Sequence, residues 1–178
     1  MQVAIIGAGP LGRWLALAAA RAGYTVTLED VMPANLHHAQ EYLRQQLGAA
    51  ALPNVKLVST IEEAVREADL AIDCVPDELE SKLEIFCLLD RMAPPRTILV
   101  TPSKNMSIAD LASCTYRADK CVAVAADVME LTGTGLRNIL MRTPPDVLPS
   151  TVRAAQEFWQ RLGFEVEVQQ DPEVGPAL

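Results

Sequence analysis

Gly7, Gly9, Pro10, Leu11, Gly12 and Asp30 carry the clearest chemistry in this chain. They lie in a run that reads apolar strand, glycine turn, Ala/Leu-rich helix, Gly23 stop, second strand and acid. In that context three glycines specify a cradle for a pyrophosphate. Gly7 permits a tight turn, Gly9 lets backbone N–H groups come close to the phosphates, and Gly12 lets the helix pack on the sheet. The helix start offers unpaired N–H donors and a positive dipole end. Pro10 gives up a donor that has no intrahelical partner there, and Leu11 follows in the same first turn. Asp30 stands 18 residues after Gly12. A carboxylate at that spacing accepts hydrogen bonds from an adenosine ribose and repels a 2′-phosphate. Val31, Met32 and Pro33 add no cation, so the expected cofactor is NAD rather than NADP. Flavin-binding openings share GAGPLG and an acid, but this chain lacks the length and later motifs of that fold.

The elements that must position these residues alternate along the chain. Strands are predicted at 2–6, 24–29, 55–58, 70–75, 97–101, 121–126, 136–141 and 164–168. Between them lie predicted helices at 10–22, 34–47, 60–67, 78–92, from Ser107 onward, and 148–162. Thr60-Ile61-Glu62-Glu63 resembles a capping box. Strand–helix alternation implies an α/β fold, a doubly wound and mostly parallel Rossmann sheet covered on both faces. One dinucleotide-binding domain is expected over 1–170, with a linker-like tail at 171–178.

Composition narrows the function. Half of the residues are hydrophobic and only 4% aromatic, so Ala, Val, Leu and Ile must build the core. A net charge of −8 argues against nucleic acid or an anionic membrane as partner. Cys74, Cys87, Cys114 and Cys121 show no metal or redox spacing, and three of them sit in apolar stretches as expected buried thiols. With no membrane-length stretch and a first strand beginning at residue 2, a cytoplasmic protein is predicted.

Beyond Asp30 the sequence resembles the NAD-binding domain of the 3-hydroxyacyl-CoA dehydrogenases. The resemblance rests on Glu63–Lys82 (EAVREADLAIDCVPDELESK), Leu89–Val100 (LDRMAPPRTILV) and Ser107-Ile108. Asp171-Pro172 matches the start of the family's linker to an all-helical domain that binds acyl-CoA and dimerises. The resemblance implies that Val75, Pro76, Asp77 and Lys82 join the cofactor side, Asp77 near the nicotinamide ribose. The plainer alternative for Asp77 and Lys82 is a solvated helix start.

On the catalytic side the sequence departs from the family. Lys104 takes the position of the family's active-site serine, and Ala125 that of its general-base histidine. The glutamate that orients the histidine falls at Arg137, with Glu130 a substitute only under a shifted register. Lys104 and Asn105 are the candidate catalytic residues, with Ser103 and Ser107 as further donors. Lys104 acts as base or carbonyl-polarising cation only if burial lowers its pKa. His37 and His38 follow the second strand, on the expected adenosine side, and adjacent helix positions make a poor metal pair; no metal site is predicted. Trp14 replaces a small residue of the family and is expected to fill space left by the absent helical domain; packing against a partner, or covering or obstructing the cofactor edge, are the alternatives.

Two functions follow. The first is an oxidoreductase of the 3-hydroxyacyl-CoA dehydrogenase type, acting on a hydroxy or keto, acyl-CoA-like substrate without the family's own base. The second is a non-catalytic NAD(H)-binding sensor or assembly subunit. A homodimer is expected, paired through Phe158 and Trp159 or the 137–142 strand.

Overall fold

The computed structural model describes residues 1–48, 52–135 and 137–171. Eight strands form one sheet: β1 (Gln2–Ile6), β2 (Thr25–Glu29), β3 (Val55–Val58), β4 (Leu70–Asp73), β5 (Ile98–Pro102), β6 (Cys121–Val124), β7 (Asn138–Thr143) and β8 (Glu165–Gln170). Their spatial order is β3-β2-β1-β4-β5-β6-β7-β8. The first six run parallel, β7 runs antiparallel to β6, and β8 runs parallel to β7. The helices are α1 (Pro10–Arg21), α2 (Pro33–Gln46), α3 (Ile61–Val65), α4 (Leu79–Met92), α5 (Ile108–Ser113), α6 (Val128–Thr132) and α7 (Pro149–Arg161).

Period-two alternation splits the strand side chains between two cores. Val3, Ile5, Val26, Leu28, Ile72, Val100 and Val122 meet Leu15, Ala16 and Ala19 of α1, Leu43 of α2 and Phe158 and Trp159 of α7. On the other face Ala4, Ile6, Ala71, Leu99 and Ala123 meet Val65 of α3, Phe86 and Leu89 of α4 and Leu111 of α5. Fully buried parallel strands need apolar residues on both faces, which explains their continuous apolar runs.

Each predicted strand and helix is present, with ends shifted by no more than two residues. Five expectations change. The last strand pair is rearranged: β7 lies between β6 and β8, so it is no sheet edge. Phe158 and Trp159 are fully buried against Tyr24 and Phe164, so they are no pairing surface. The Thr60 side chain caps α3 through the Glu63 N–H, while the complete capping box forms at Asp127 and Glu130, opening the unpredicted helix α6. Asp171 belongs to the domain, because its buried carboxylate accepts from Ile108 N–H at 2.6 Å and Ser107 Oγ at 3.0 Å. The rest of the proposed tail, like Leu136, lies outside the described residues. Against the expectation of three buried thiols, only Cys121 of the four free cysteines is buried, while Cys74, Cys87 and Cys114 are half-buried.

Candidate functional site

The C-terminal ends of β1, β2, β4, β5 and β6 open into one crevice of about 540 Å³. This is where an open α/β sheet leaves its strand ends uncovered and a ligand can enter. At its centre, Gly7 has φ +100°, a conformation that L side chains rarely adopt, and turns the chain from β1 toward α1. A Cβ on Gly12 would stand 1.8 Å from the Gly7 carbonyl oxygen but 3.5 Å from Ile5. Gly12 therefore lets the first turn of α1 lie directly against the backbone that leaves β1. A Cβ on Gly9 would meet nothing within 4 Å, so space for a phosphate lies open beside it.

Helix α1 begins without a side-chain cap and without an acid in its first turn, and Pro10 occupies its first turn. The first N–H groups and the positive helix end thus face the crevice uncompensated. Gly7, Gly9, Pro10 and Leu11 all line it.

Asp30 closes one end. Its Oδ2 accepts from Ala8 N–H (2.8 Å) and Asn35 Nδ2 (3.0 Å), and its Oδ1 accepts from Met32 N–H (2.8 Å). Two carboxylate oxygens offer about four acceptor positions, so one is left for a sugar hydroxyl. Among the described residues the only cation lining the crevice is Lys82, and Asp73 neutralises it. This end fits the adenosine of NAD and opposes a 2′-phosphate.

Val75, Pro76, Asp77 and Lys82 line the middle. Asp77 is exposed at the rim, whereas Lys82 is 1% exposed, which overturns the solvated alternative for it. Its Nζ reaches Asp73 Oδ2 (3.1 Å) and donates to the Pro102 carbonyl (3.2 Å). Lys82 supports the crevice floor from beneath by tying α4 to β4 and β5.

At the far end Pro102, Ala126, Asp127 and Val128 line the crevice. Lys104 and Asn105 are exposed on the loop after β5. Lys104 Nζ pairs with Glu130 (2.7 Å) and Asp127 (3.0 Å). Glu130 and Asp127 push the ammonium pKa further up, so Lys104 is a cation and not a base. The backbone N–H of Glu130 and then Lys104 hold Asp127 below the usual carboxylate range. Ser103 and Ser107 are committed to structure. Ser103 is buried and accepts from Met106 N–H, while Ser107 caps α5. Arg142 donates to the Ser103 carbonyl (2.8 Å), and Asp171 holds the start of α5, so both ends of the Lys104 loop are fixed.

Two expectations elsewhere are decided by position. Trp14 packs edge-on against Phe164 (6.1 Å) and does not line the crevice, so it fills space inside the domain rather than obstructing the cofactor site. His37 and His38 are exposed on α2, outside the crevice lining. Among the described residues no three His, Cys, Asp or Glu side chains are placed to hold a metal ion, and no helix is long and apolar enough to cross a membrane.

Sequence reasoning missed Glu29, Asn35, Ile61, Ile85 and Asp127, which all line the crevice. Asp127-x-x-Glu130 carried a legible helix-start signal. Glu29 was visible as a second acid beside Asp30. Nothing local marked Ile61 or Ile85.

The sequence profile of the family described as "3-hydroxyacyl-CoA dehydrogenase, NAD binding domain" matches residues 2–125. A probable 3-hydroxybutyryl-CoA dehydrogenase of Bacillus subtilis is 29% identical over 69% of this chain and 47% of its own length. The 3-hydroxybutyryl-CoA dehydrogenase of Bradyrhizobium diazoefficiens is 28% identical over 96% of this chain and 61% of its own. The chain thus spans about half the length of the curated relatives it matches. Among solved structures, a diketoreductase superposes with a TM-score of 0.82 at 25% identity, covering 98% of this chain and 66% of that one. The 3-hydroxyacyl-CoA dehydrogenase of Archaeoglobus fulgidus gives 0.80 at 25% identity, covering 98% and 58%. Together with the crevice, these likenesses place the chain in the 3-hydroxyacyl-CoA dehydrogenase family, as an NAD-binding domain.

Proposed function

We propose that this domain serves NAD-dependent oxidation of a hydroxyl carbon, or the reverse reduction of a ketone, on an acyl-CoA-like substrate of fatty acid metabolism. The observation that carries this reading is the continuity of the crevice from Asp30, past the glycine turn, to Asp127 beside Lys104. Gly7, Gly9, Pro10 and Leu11 would hold the pyrophosphate, with Gly12 shaping the turn behind them; Asp30 would take the adenosine ribose and Val75, Pro76 and Asp77 the nicotinamide side. Bound NAD supplies the hydride acceptor. Lys104, whose ammonium is paired with Asp127 and Glu130 beside the far end of the crevice, would offer an N–H donor to a substrate oxygen, and Asn105 beside it an amide donor.

The names of the relatives support the substrate class. A second reading, a non-catalytic NAD(H)-binding subunit, is favoured by Lys104 being unfit as a base, since losing a positioned base costs roughly 10²–10⁴ in rate. The cysteines, all free thiols, support a cytoplasmic setting. A homodimer on this reading uses β8, the last strand of the sheet.

Calorimetric titration with NADH and NADPH, followed by a turnover assay with 3-hydroxybutyryl-CoA and NAD, tests the proposal. NADH binding with turnover supports the oxidoreductase. Binding without turnover of hydroxyacyl or ketoacyl thioesters supports the binding subunit, and no dinucleotide binding overturns both.

A further inference from the structure

Glu29 is a buried carboxyl that the cofactor contacts above leave unused. It is 5% exposed at the end of β2, in register between Ile6 of β1 and Val58 of β3, two aliphatic neighbours. Glu29 lines the crevice, and among the described residues its carboxyl has no hydrogen-bond or ion-pair partner, while its oxygens are not sealed off from solvent. A carboxyl whose residue is otherwise buried and which lines the crevice is placed to pair with a polar group of a ligand held there.

The position along the crevice limits what that group is. The pyrophosphate belongs at the glycine turn, and the adenosine ribose at Asp30. The next group outward is the base: Val31, Ile61 and Ile85 also line the crevice, and Ile61 and Ile85 pack on the sheet face of Ile6 and Val58, the register partners of Glu29. Aliphatic walls suit a flat aromatic ring, and the carboxyl is the polar group that fixes its orientation.

We propose that Glu29 reads the base of the cofactor, pairing with the N1 and 6-amino edge of adenine. The inference rests on the crevice being the NAD site. A neutral carboxyl donates its O–H to N1 and accepts a 6-amino hydrogen, two parallel bonds that an ionised carboxylate cannot both make.

The surroundings favour the neutral form. Burial, then the charge of Asp30, pushes Glu29 up to about 7. The other charges around it offset one another or face water. Lys56 of β3 pairs with Glu63 of α3 at 2.6 Å, Lys82 of α4 pairs with Asp73 of β4, and Glu62 and Asp77 are exposed.

The test measures binding of NADH and of an NADH analogue whose purine carries hydrogen in place of the 6-amino group. Wild type, Glu29→Gln and Glu29→Leu are titrated at pH 6 and pH 8.5. At pH 6 the wild type should prefer NADH by roughly ten- to a hundredfold, the worth of a bidentate base contact. Its NADH affinity should fall toward pH 8.5. Glu29→Gln, whose amide offers the same donor and acceptor, should keep the preference at both pH values. Glu29→Leu should bind both dinucleotides alike.

A wild type that binds the two dinucleotides equally overturns the proposal and leaves the NAD site standing. So does an undiminished preference in Glu29→Leu. Should that variant fail to fold, a pH dependence surviving unchanged in Glu29→Gln overturns it instead. If the wild type binds neither dinucleotide, the NAD site and the base-reading role fall together.

Discussion

Lys82 Nζ stands 3.1 Å from Asp73 Oδ2 with both side chains closed off from water, so an ion pair lies beneath the floor of the crevice. Burial pushes the Asp73 carboxyl up, while Lys82, the Val75 N–H (3.0 Å) and the Thr101 hydroxyl (3.0 Å) draw it back down. Breaking one side of such a pair strands the other in the interior. Lys82→Met should therefore destabilise the domain by about 3–5 kcal/mol. Asp73→Leu combined with Lys82→Met should recover part of that loss. Urea denaturation of the two single variants and the double variant checks both expectations.

Cofactor choice should follow Asp30. Replacing Asp30 by Asn removes the negative charge that repels a 2′-phosphate and keeps one acceptor for the Ala8 N–H. The preference for NADH over NADPH should shrink by about tenfold, equal to about 1.4 kcal/mol. Parallel titrations of wild type and Asp30→Asn measure the ratio, and an unchanged ratio would place the discrimination elsewhere.

Stability should depend on pH through Glu29. Its folded value of about 7 lies above the ordinary 4.5, so the folded state holds a proton the unfolded state has released. The stabilisation is fully present below pH 4.5 and is lost as pH rises through 7. Glu29→Gln, which cannot ionise, should match the wild type at low pH and exceed it above pH 8 by ~1–3 kcal/mol. Thermal melts across that window should show the two curves diverging.

Lys104 should matter to turnover and not to dinucleotide binding. Its ammonium sits on an exposed loop, paired with Asp127 and Glu130, and lies outside the crevice lining. On the oxidoreductase reading, Lys104→Met should lower turnover by roughly 10²–10³-fold with NADH affinity unchanged. Steady-state kinetics beside calorimetry separates the two effects, and unaltered turnover would remove Lys104 from the chemistry.

Asp171 should behave as a structural residue. Its carboxylate accepts from Ser107 Oγ and from the N–H groups of Ile108 and Ala109 at the start of α5. Asp171→Ala should cost about 1–2 kcal/mol, the worth of a helix cap. Chemical denaturation measures it, and a loss near zero would restore the residue to a linker role.

The sequence by itself carried the order of the strands and of every helix but α6, the glycine turn, the acid after β2 and the family resemblance. Each of these is written in local pattern: period-two and helical spacing, glycines at a turn, an acid at a strand end. Lys82 and Asp73 were both in view, but their pairing spans α4 and β4 and exists only after the sheet is assembled. Phe158 and Trp159 looked available for a partner because the pattern of α7 says which face is apolar, not what covers it. In the fold Tyr24, far away in sequence, and Phe164, just beyond the end of α7, cover that face. The partners of Lys104 come from the segment after β6, and the groups holding its loop come from β7 and the residue after β8. Only the tertiary structure decided those, because charge and burial at a site depend on which distant segments the topology brings together.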